Sequence, residues 1–512
     1  MAQINVNNLT FYYEGSSDNI FENVSFSIDT DWKLGLIGRN GKGKTTFLNL
    51  LLGKYEYIGN ISTSTVFDYF PYQIDEEEKK QPAITFLDRI KVGCEQWRVI
   101  CELDKLGLNA EILYRPYDTL SFGERTKVML AILFSGEHDF LLIDEPTNHL
   151  DRESREVVKA YLASKKGFIL VSHDRDLLDA CVDHVLVLNR ATIEVMAGNF
   201  SCWWENKIRK DAFSMSENEK HRKEIVKLNE ASKRTKAWAD KSERTKIGFN
   251  PIKEHDRCLD TRAYIGAKTK KLQSRVKQME MRIDQEIQEK EGLLQDIESP
   301  VDLKLKPLEF YKKNLLRLNE YGLQYEDSDS NLFSNLSFEL NQGERLFFNG
   351  ANGCGKSSLI KVILQKLAQP KSNLSNLKLI ETGSLFTASG VVVSYINQDT
   401  SYLRGSIKDF CKEQNLDESL FCSILRQLDM ERVQFFKNIE DYSEGQKKKV
   451  LIAASLITPA HLYIWDEPLN YIDVFSRMQI EQLLQRYQPT MIVVEHDVRF
   501  REQIATKVIE LR

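Results

Sequence analysis

One short pattern is written twice in this chain. Gly38-Arg39-Asn40-Gly41-Lys42-Gly43-Lys44-Thr45 and Gly350-Ala351-Asn352-Gly353-Cys354-Gly355-Lys356-Ser357 both read G-x-x-x-x-G-K-[ST], with their lysines 312 positions apart. Few folds can use such a run. It requires a buried strand entering a glycine turn, and a helix leaving it. Loop and first-turn backbone N–H groups, here including Thr46 and Ser358, then converge on an anion.

Three further landmarks follow each loop in the same order. Leu120-Ser121-Phe122-Gly123-Glu124 answers to Tyr442-Ser443-Glu444-Gly445-Gln446, and Ile143-Asp144-Glu145-Pro146 to Trp465-Asp466-Glu467-Pro468, both at an offset of 322. Val171-Ser172-His173-Asp174 answers to Val494-Glu495-His496-Asp497 at 323. A nearly constant offset means a duplicated domain. Short apolar runs lead into each landmark: Leu34–Ile37 and Leu346–Phe348 before the loops, Phe140–Ile143 and Leu462–Trp465 before the acidic pairs, Phe168–Val171 and Met491–Val494 before the histidines. With helices expected over Thr45–Leu52 and Ser357–Leu367, the alternation predicts a mainly parallel α/β sheet with ligands at the strands' C-terminal ends.

The chemistry implied is that of a nucleotide triphosphate. Lys44 and Lys356 are placed for the β- and γ-phosphates, and Thr45 and Ser357 for Mg²⁺. Asp144 and Asp466 fit the metal-holding carboxylate, and Glu145 and Glu467 are placed to polarise the attacking water. Alone, an Asp-Glu pair would read as a strand end or a cap, and a lone histidine as a packed side chain. At matched offsets behind matched strands, His173 and His496 read as γ-phosphate contacts.

Composition excludes other classes. The formal charge of −5 is not that of a basic nucleic-acid binder. The longest apolar stretch, Val128–Phe134, is far too short to span a bilayer, and Met1–Asn8 is polar, unlike a signal peptide. The eight cysteines form no CxxC pair, so reduced thiols in a cytoplasmic protein are expected.

Taken together, the landmarks resemble those of the ATP-binding cassette ATPases, a P-loop NTPase family. Their LSGGQ signature corresponds to Leu120–Glu124 and Tyr442–Gln446, with Phe122 and Glu444 replacing a glycine and Tyr442 the leading Leu. The resemblance implies that Ser121, Gly123, Ser443 and Gly445 touch phosphate, that Gln73 and Gln398 are the Q-loop glutamines, that Tyr13 and Tyr325 stack on adenine, and that Asp151 and Asp473 are the D-loop aspartates. It further implies two cassettes closed head to tail around two ATP molecules. Lys44, Thr45, Gln73, Asp144, Glu145 and His173 would face Ser443 and Gly445; Lys356, Ser357, Gln398, Asp466, Glu467 and His496 would face Ser121 and Gly123.

Between the copies the pattern changes. From Lys220 to Lys277 there are 18 Lys and Arg against 7 Asp and Glu, a balance of +11 within an acidic chain. A helical stripe runs through Leu272, Val276, Met279, Ile283, Ile287 and Leu294; an earlier one at Ile225 and Leu228 is weaker, and Lys246–Pro251 is a breaker. Two long antiparallel helices with a basic tip near 244–264 are expected; residues 201–243 alone would reach about 60 Å. A one-signed stretch with Trp238, Phe249 and Tyr264 interspersed suits a phosphate backbone better than a solvated spacer. The expected organisation is cassette 1 over 1–200, linker over 201–299 and cassette 2 over 300–512.

Two cassettes without a membrane domain, joined by a basic helical linker, resemble the ABC-F family of ribosome-binding ATPases over essentially the whole chain. Gly198-Asn199-Phe200-Ser201 looks like that family's junction. Only 46 residues separate Gln73 from Leu120, too few for the arm insertion of the housekeeping translation factors. The long linker, with Leu259-Asp260-Thr261 before Ile265-Gly266-Ala267, is most similar to the Lsa-type resistance members. Those protect ribosomes from lincosamides, streptogramin A compounds and pleuromutilins. The resemblance implies ATP and Mg²⁺ as cofactors, and a cytoplasmic monomer with intramolecular cassette pairing. Its partner would be the large-subunit rRNA near the tRNA exit site, together with P-site tRNA, and neither membrane nor DNA. Lys246, Lys253, Arg257 and Arg262 would dock the tip, and Phe249, Leu259 and Tyr264 would perturb the drug pocket. The rival readings are a housekeeping ABC-F factor, the ATPase subunit of an exporter and a DNA-maintenance ATPase.

Overall fold

The computed structural model describes residues 2–13, 19–91, 93–136, 139–148, 150–189, 192–247, 304–326, 331–367 and 379–511, with 270, 274, 276–279, 281–283 and 285–286; side chains at 88, 232, 235, 236 and 238–247 are not described. Two compact units emerge, Met1–Trp203 with Pro300–Arg512, and Trp204–Ser299.

In the first unit each cassette is built on a parallel sheet. The first has six strands in the order Val66–Phe70, Asp139–Asp144, Phe168–Val171, Lys33–Ile37, His184–Leu188 and Ile193–Ala197, the last antiparallel to its neighbour. The second has five parallel strands, Val393–Ile396, Leu462–Asp466, Met491–Val494, Arg345–Asn349 and Lys507–Glu510. The central strands, such as Phe168–Val171 and Met491–Val494, are apolar along their length because both faces are covered, whereas the edge strands Val66–Phe70 and Lys507–Glu510 are partly exposed. Leu346 and Phe348 point into one core with the helix Lys356–Lys366, while Phe347 points into another with Val450, Ile452 and Leu484.

An antiparallel sheet caps each phosphate-loop helix: Phe21–Asp29, Gln3–Phe11 and Ile58–Ser62 in the first cassette, Asn331–Asn341, Asn314–Tyr325 and Leu379–Thr387 in the second. The sequence landmarks carry no sign of these sheets. In the first cassette Ile4, Val6, Phe21 and Val24 close over Leu34, Leu36, Phe47 and Leu142, which fixes the loop and its helix from above.

The second unit contains most of the helix Phe200–Ile247, 48 residues or about 70 Å long. Ion pairs Arg209–Glu205, Lys223–Glu219 and Arg234–Glu230 lace its surface at i,i+4 spacing. Its inward line runs at steps of four and three through buried Ser214 and Asn218 to half-buried His221, Ile225 and Leu228, so the seam is polar before it is apolar. Backbone described between Lys270 and Glu286 is helical, with Val276 and Ile283 buried. Met279, expected on the same stripe, is exposed: the buried line advances by sevens and leaves Met279 beside it. Phe249, Lys253, Arg257, Leu259, Arg262, Tyr264, Leu272, Ile287 and Leu294 lie outside the described residues, as does the Lys246 side chain.

Candidate active sites

Each glycine loop turns on residues that need positive φ. Gly43 (φ 89°) and Gly355 (φ 92°) are the N-caps of the helices Lys44–Leu51 and Lys356–Lys366, and a Cβ on Gly43 would lie 2.7 Å from Ile20 Cγ2. Both lysines arch back over their loops. Lys44 Nζ donates to the Gly38 carbonyl (2.7 Å) and Asn40 Oδ1 (3.1 Å), and Lys356 Nζ to the carbonyls of Gly350 and Ala351 (both 2.8 Å). Tyr13 and Tyr325 mark matched places at the rim, their hydroxyls 2.8 Å from Thr46 Oγ1 and Ser358 Oγ.

Two clefts open over the loops, and each takes residues from both cassettes. The first, about 580 Å³, is lined by Tyr13, Asn40, Gly41, Gly43, Lys44, Thr45, Thr46, Asp144, Glu145 and His173, with Ser443, Glu444, Gly445, Lys449 and Tyr471 from across. The second, about 310 Å³, is lined by Tyr325, Asn352, Gly353, Gly355, Lys356, Ser357, Ser358, Gln398, Glu467, Asn470 and His496, with Phe122 and Arg155 from across. Of the first cassette's signature it is Phe122, rather than Ser121 or Gly123, that lines the second cleft; Ser121 instead caps its helix by accepting from Glu124 N. Arg39 and Lys42 do not turn inward. Their side chains pair across the cassettes with Asp429 (3.0 Å) and Glu431 (3.7 Å). Cys354 Sγ is 3.9 Å from Lys356 Nζ.

The acidic pairs end their strands in strained backbone. Glu145 (φ 50°) and Glu467 (φ 48°) are left-handed without being glycine, and each is held there by its N–H bonding the carbonyl of Val171 or Val494 (2.9 Å). Thr45 Oγ1 donates to Asp144 Oδ2 (3.4 Å), which also accepts from Tyr69 (3.2 Å). Burial raises the pKa of Asp144, and pushes Asp466 up to about 6 despite its bond from Ser357.

Their neighbouring glutamates differ. Burial, reinforced by Asp144, pushes Glu145 up to about 8. Burial acts on Glu467 too, but hydrogen bonds from His496 and Gln398 outweigh it and hold the carboxyl below its ordinary value. Glu467 Oε2 accepts from Gln398 Nε2 (2.8 Å) and Asn470 Nδ2 (2.7 Å). His173 and His496 lie 3.4 and 3.7 Å from the two glutamates, and burial next to Lys44 lowers the pKa of His173.

Gln73 is not the counterpart of Gln398. Phe70 pairs with Ile143 and Ile396 with Trp465, which puts Tyr72 in line with Gln398 and leaves Gln73 one residue beyond, exposed. Tyr72 is turned away from the cleft, donating to Asp68 Oδ2 (2.6 Å), which Lys91 also holds (2.9 Å). Counting from the strand end, rather than matching glutamines, would have found this. Residues the motifs did not single out are Lys449, Arg155, Tyr69 and Asn470. Lys449 is buried in an ion pair with Asp473 (3.0 Å), which also caps a helix at Ser476, as Asp151 does at Ser154. The only warning of Lys449 was the Lys447–Lys449 run, which reads as surface.

Asp466 Oδ1 is buried without a hydrogen-bond partner, and a serine hydroxyl binds the same carboxylate. One carboxylate and one hydroxyl per site, all hard oxygen, fit Mg²⁺ that takes its remaining ligands from phosphates and water. No group of three or more His, Cys, Asp and Glu among the described residues could hold an ion unaided.

Two phosphate loops on parallel sheets, each faced by the other copy, define a tandem nucleotide triphosphatase. The chain belongs to the ABC transporter family, whose model matches residues 21–148 and 333–470. It is an ATPase, and domains of this family bind ATP, generally with Mg²⁺. Among curated relatives it is 26% identical to the Ribosome protection protein VmlR of Bacillus subtilis (strain 168), over 96% of this chain and 84% of that one. It is also 26% identical to the ATP-binding protein Uup of Buchnera aphidicola, over 99% and 80%. The fold matches the archaeal ribosome recycling factor aABCE1, crystallised with the ribosomal stalk protein aP1: TM-score 0.59, 17% identity, 98% of this chain and 87% of that one.

Proposed function

We propose that this chain is an ABC-F ATPase that binds the ribosome at the tRNA exit site. There it protects the peptidyl-transferase centre from antibiotics by directing its linker toward the bound drug. The observation that carries this reading is the extent of the match to VmlR: 96% of this chain is covered, and with it the basic linker as well as the cassettes. The long basic segment between the cassettes, for which an exporter's ATPase subunit has no evident use, favours this reading over that rival. The tip residues Lys246, Lys253, Arg257 and Arg262 supply phosphate contacts; Phe249, Leu259 and Tyr264 supply apolar ones, as in Lsa-type members. The cytoplasmic monomer closes its own cassettes.

In each site the loop N–H groups and Lys44 or Lys356 orient the phosphates, and Tyr13 or Tyr325 supports the base. Thr45 with Asp144, and Ser357 with Asp466, would hold Mg²⁺, which neutralises phosphate charge when bound. Glu145 and Glu467 accept the proton of the attacking water, and His173 and His496 donate to the γ-phosphate. Ser443 and Gly445 complete the first site and the Ser121–Gly123 segment the second, so ATP bridges the cassettes.

The test is expression in a drug-sensitive Gram-positive host, with susceptibility to lincosamides, streptogramin A and pleuromutilins measured beside co-sedimentation of purified protein with ribosomes. Protection is expected from the parent. The Glu145→Gln/Glu467→Gln double variant should be retained on ribosomes in ATP more strongly than the parent. No sedimentation in either form would refute ribosome binding; sedimentation without protection would identify a housekeeping factor.

A further inference from the structure

The backbone N–H of the histidine after each third strand needs an acceptor, and the two cassettes find different ones. In the first, His173 N donates to Glu145 Oε2 (3.4 Å), and the buried Glu145 Oε1 makes no hydrogen bond, with the His173 ring Nε2 3.4 Å away. In the second, the residue before the histidine is Glu495 where the first cassette has Ser172. Glu495 Oε1 accepts from His496 N (2.9 Å) and Oε2 from Leu469 N (3.1 Å), so one buried carboxylate ties the segment after Glu467 to the segment carrying His496. Ser172 makes only a local turn, accepting from Asp174 N (3.1 Å).

A second difference accompanies the first. Lys448, 3% exposed, donates to the carbonyl of Asn397 (3.0 Å), the residue before Gln398. Its counterpart Thr126 bonds within its own helix to the Phe122 carbonyl (3.0 Å). Glu495 adds a buried carboxylate, 4% exposed, to Asp466 and Glu467; the buried Arg477 is the cation that chiefly offsets Glu495, and the buried Lys448 acts on Asp466 and Glu467. An uncompensated carboxylate there would be costly.

We propose that Glu495 and Lys448 are positioning residues of the second ATP site. Glu495 takes the His496 N–H, and Lys448 anchors the segment bearing Gln398, so that Glu467 is left to Gln398, Asn470 and an attacking water. The first site lacks both and spends its glutamate on a backbone N–H. The inference rests on Glu467 being the hydrolytic carboxylate, and makes the second site the faster of the two.

The experiment uses full-length protein carrying Glu145→Gln, so that the second site supplies the measured turnover. Glu495→Ser and Lys448→Thr should each lower kcat by roughly 10- to 100-fold while KM for ATP stays within about threefold, as expected for misplacement rather than lost binding. Lys448→Arg should restore kcat to within about threefold of the parent, since it keeps the cation and the donor. The converse pair, Ser172→Glu with Thr126→Lys in a Glu467→Gln background, should raise residual turnover about tenfold. Thermal melts accompany each variant. If Glu495→Ser does not fold, Glu495→Gln, which keeps one acceptor oxygen, decides the matter by the same kcat criterion. Unchanged kcat in a folded variant, or a loss carried by KM, overturns the proposal. Glu467→Gln run alongside separates the two failures: full turnover there refutes the role of Glu467 itself.

Discussion

Glu145 and Glu467 occupy the same place on equivalent sheets and share the same left-handed backbone, yet they are held differently. One is pushed toward its neutral form and faces only its own cassette's histidine and that histidine's backbone N–H, both at 3.4 Å; the other accepts from an asparagine and a glutamine. Duplication within one chain is what permits this. In a dimer of identical chains every residue on the twofold axis would meet its own kind. Here Asp174 and Asp497 still face one another as equivalents, each paired to an equivalent arginine, Arg155 (3.8 Å) and Arg477 (3.1 Å). Asp176 and Arg499 are also equivalents, and they have diverged into an ion pair across the axis. The lesson is that pseudo-symmetry conserves the framework and releases the charges set into it.

The comparison breaks most readily at the glutamates. Glu467→Gln alone should lower steady-state ATPase activity by about 10²- to 10⁴-fold, the range for losing a general base, whereas Glu145→Gln should cost less than about tenfold. Equal losses in a coupled turnover assay would mean that the difference in hydrogen bonding has no kinetic consequence.

Next in size is the interface that holds both sites closed. Arg175 and Glu481 form a buried pair between cassettes with no counterpart on the other side of the axis, where Val498 and Lys159 stand. Arg175→Met should destabilise the protein by about 3 kcal/mol by stranding the Glu481 carboxylate. Pairing it with Glu481→Leu should recover most of that loss in denaturant melts. An unaltered melt for Arg175→Met would remove this interface asymmetry from the comparison.

The smallest effect separates the two glutamines. Gln398→Ala should lower kcat about tenfold through the lost bond to Glu467, and Gln73→Ala should change it less than about twofold. If Gln73→Ala matches Gln398→Ala in single-turnover assays, the loop around Tyr72 must rearrange when ATP binds.

Most of the framework is legible in the residues themselves. The glycine loops, the apolar strands that end in Asp144 and Asp466, and the helices expected from Thr45 and Ser357, which begin one residue earlier, are local consequences of residue type and spacing. The antiparallel sheets were not legible, because their alternation is broken by register shifts between Val6 and Leu9 and between Leu318 and Tyr321. Gln73 was misleading for the opposite reason: a familiar residue lay one position beyond the place the strand register assigns. Met279 failed because a periodic run of apolar residues shows which side chains could be buried, not which of them the partner surface reaches.

By itself the sequence determined that this protein is a duplicated nucleotide-binding machine with a basic helical segment between the copies. Glycine, lysine and strand-end carboxylates at set spacing leave a chain little else to fold into. Only the tertiary structure decided how each site is finished. Whether a backbone N–H is taken by Glu145 or by Glu495, whether Lys449 is a surface cation or a buried partner of Asp473, and whether Arg39 faces phosphate or Asp429 depend on which donor folding brings within reach of which acceptor. Arg39 and Asp429 meet from 390 positions apart, and even the nearer pairs are settled by how their segments pack rather than by spacing along the chain.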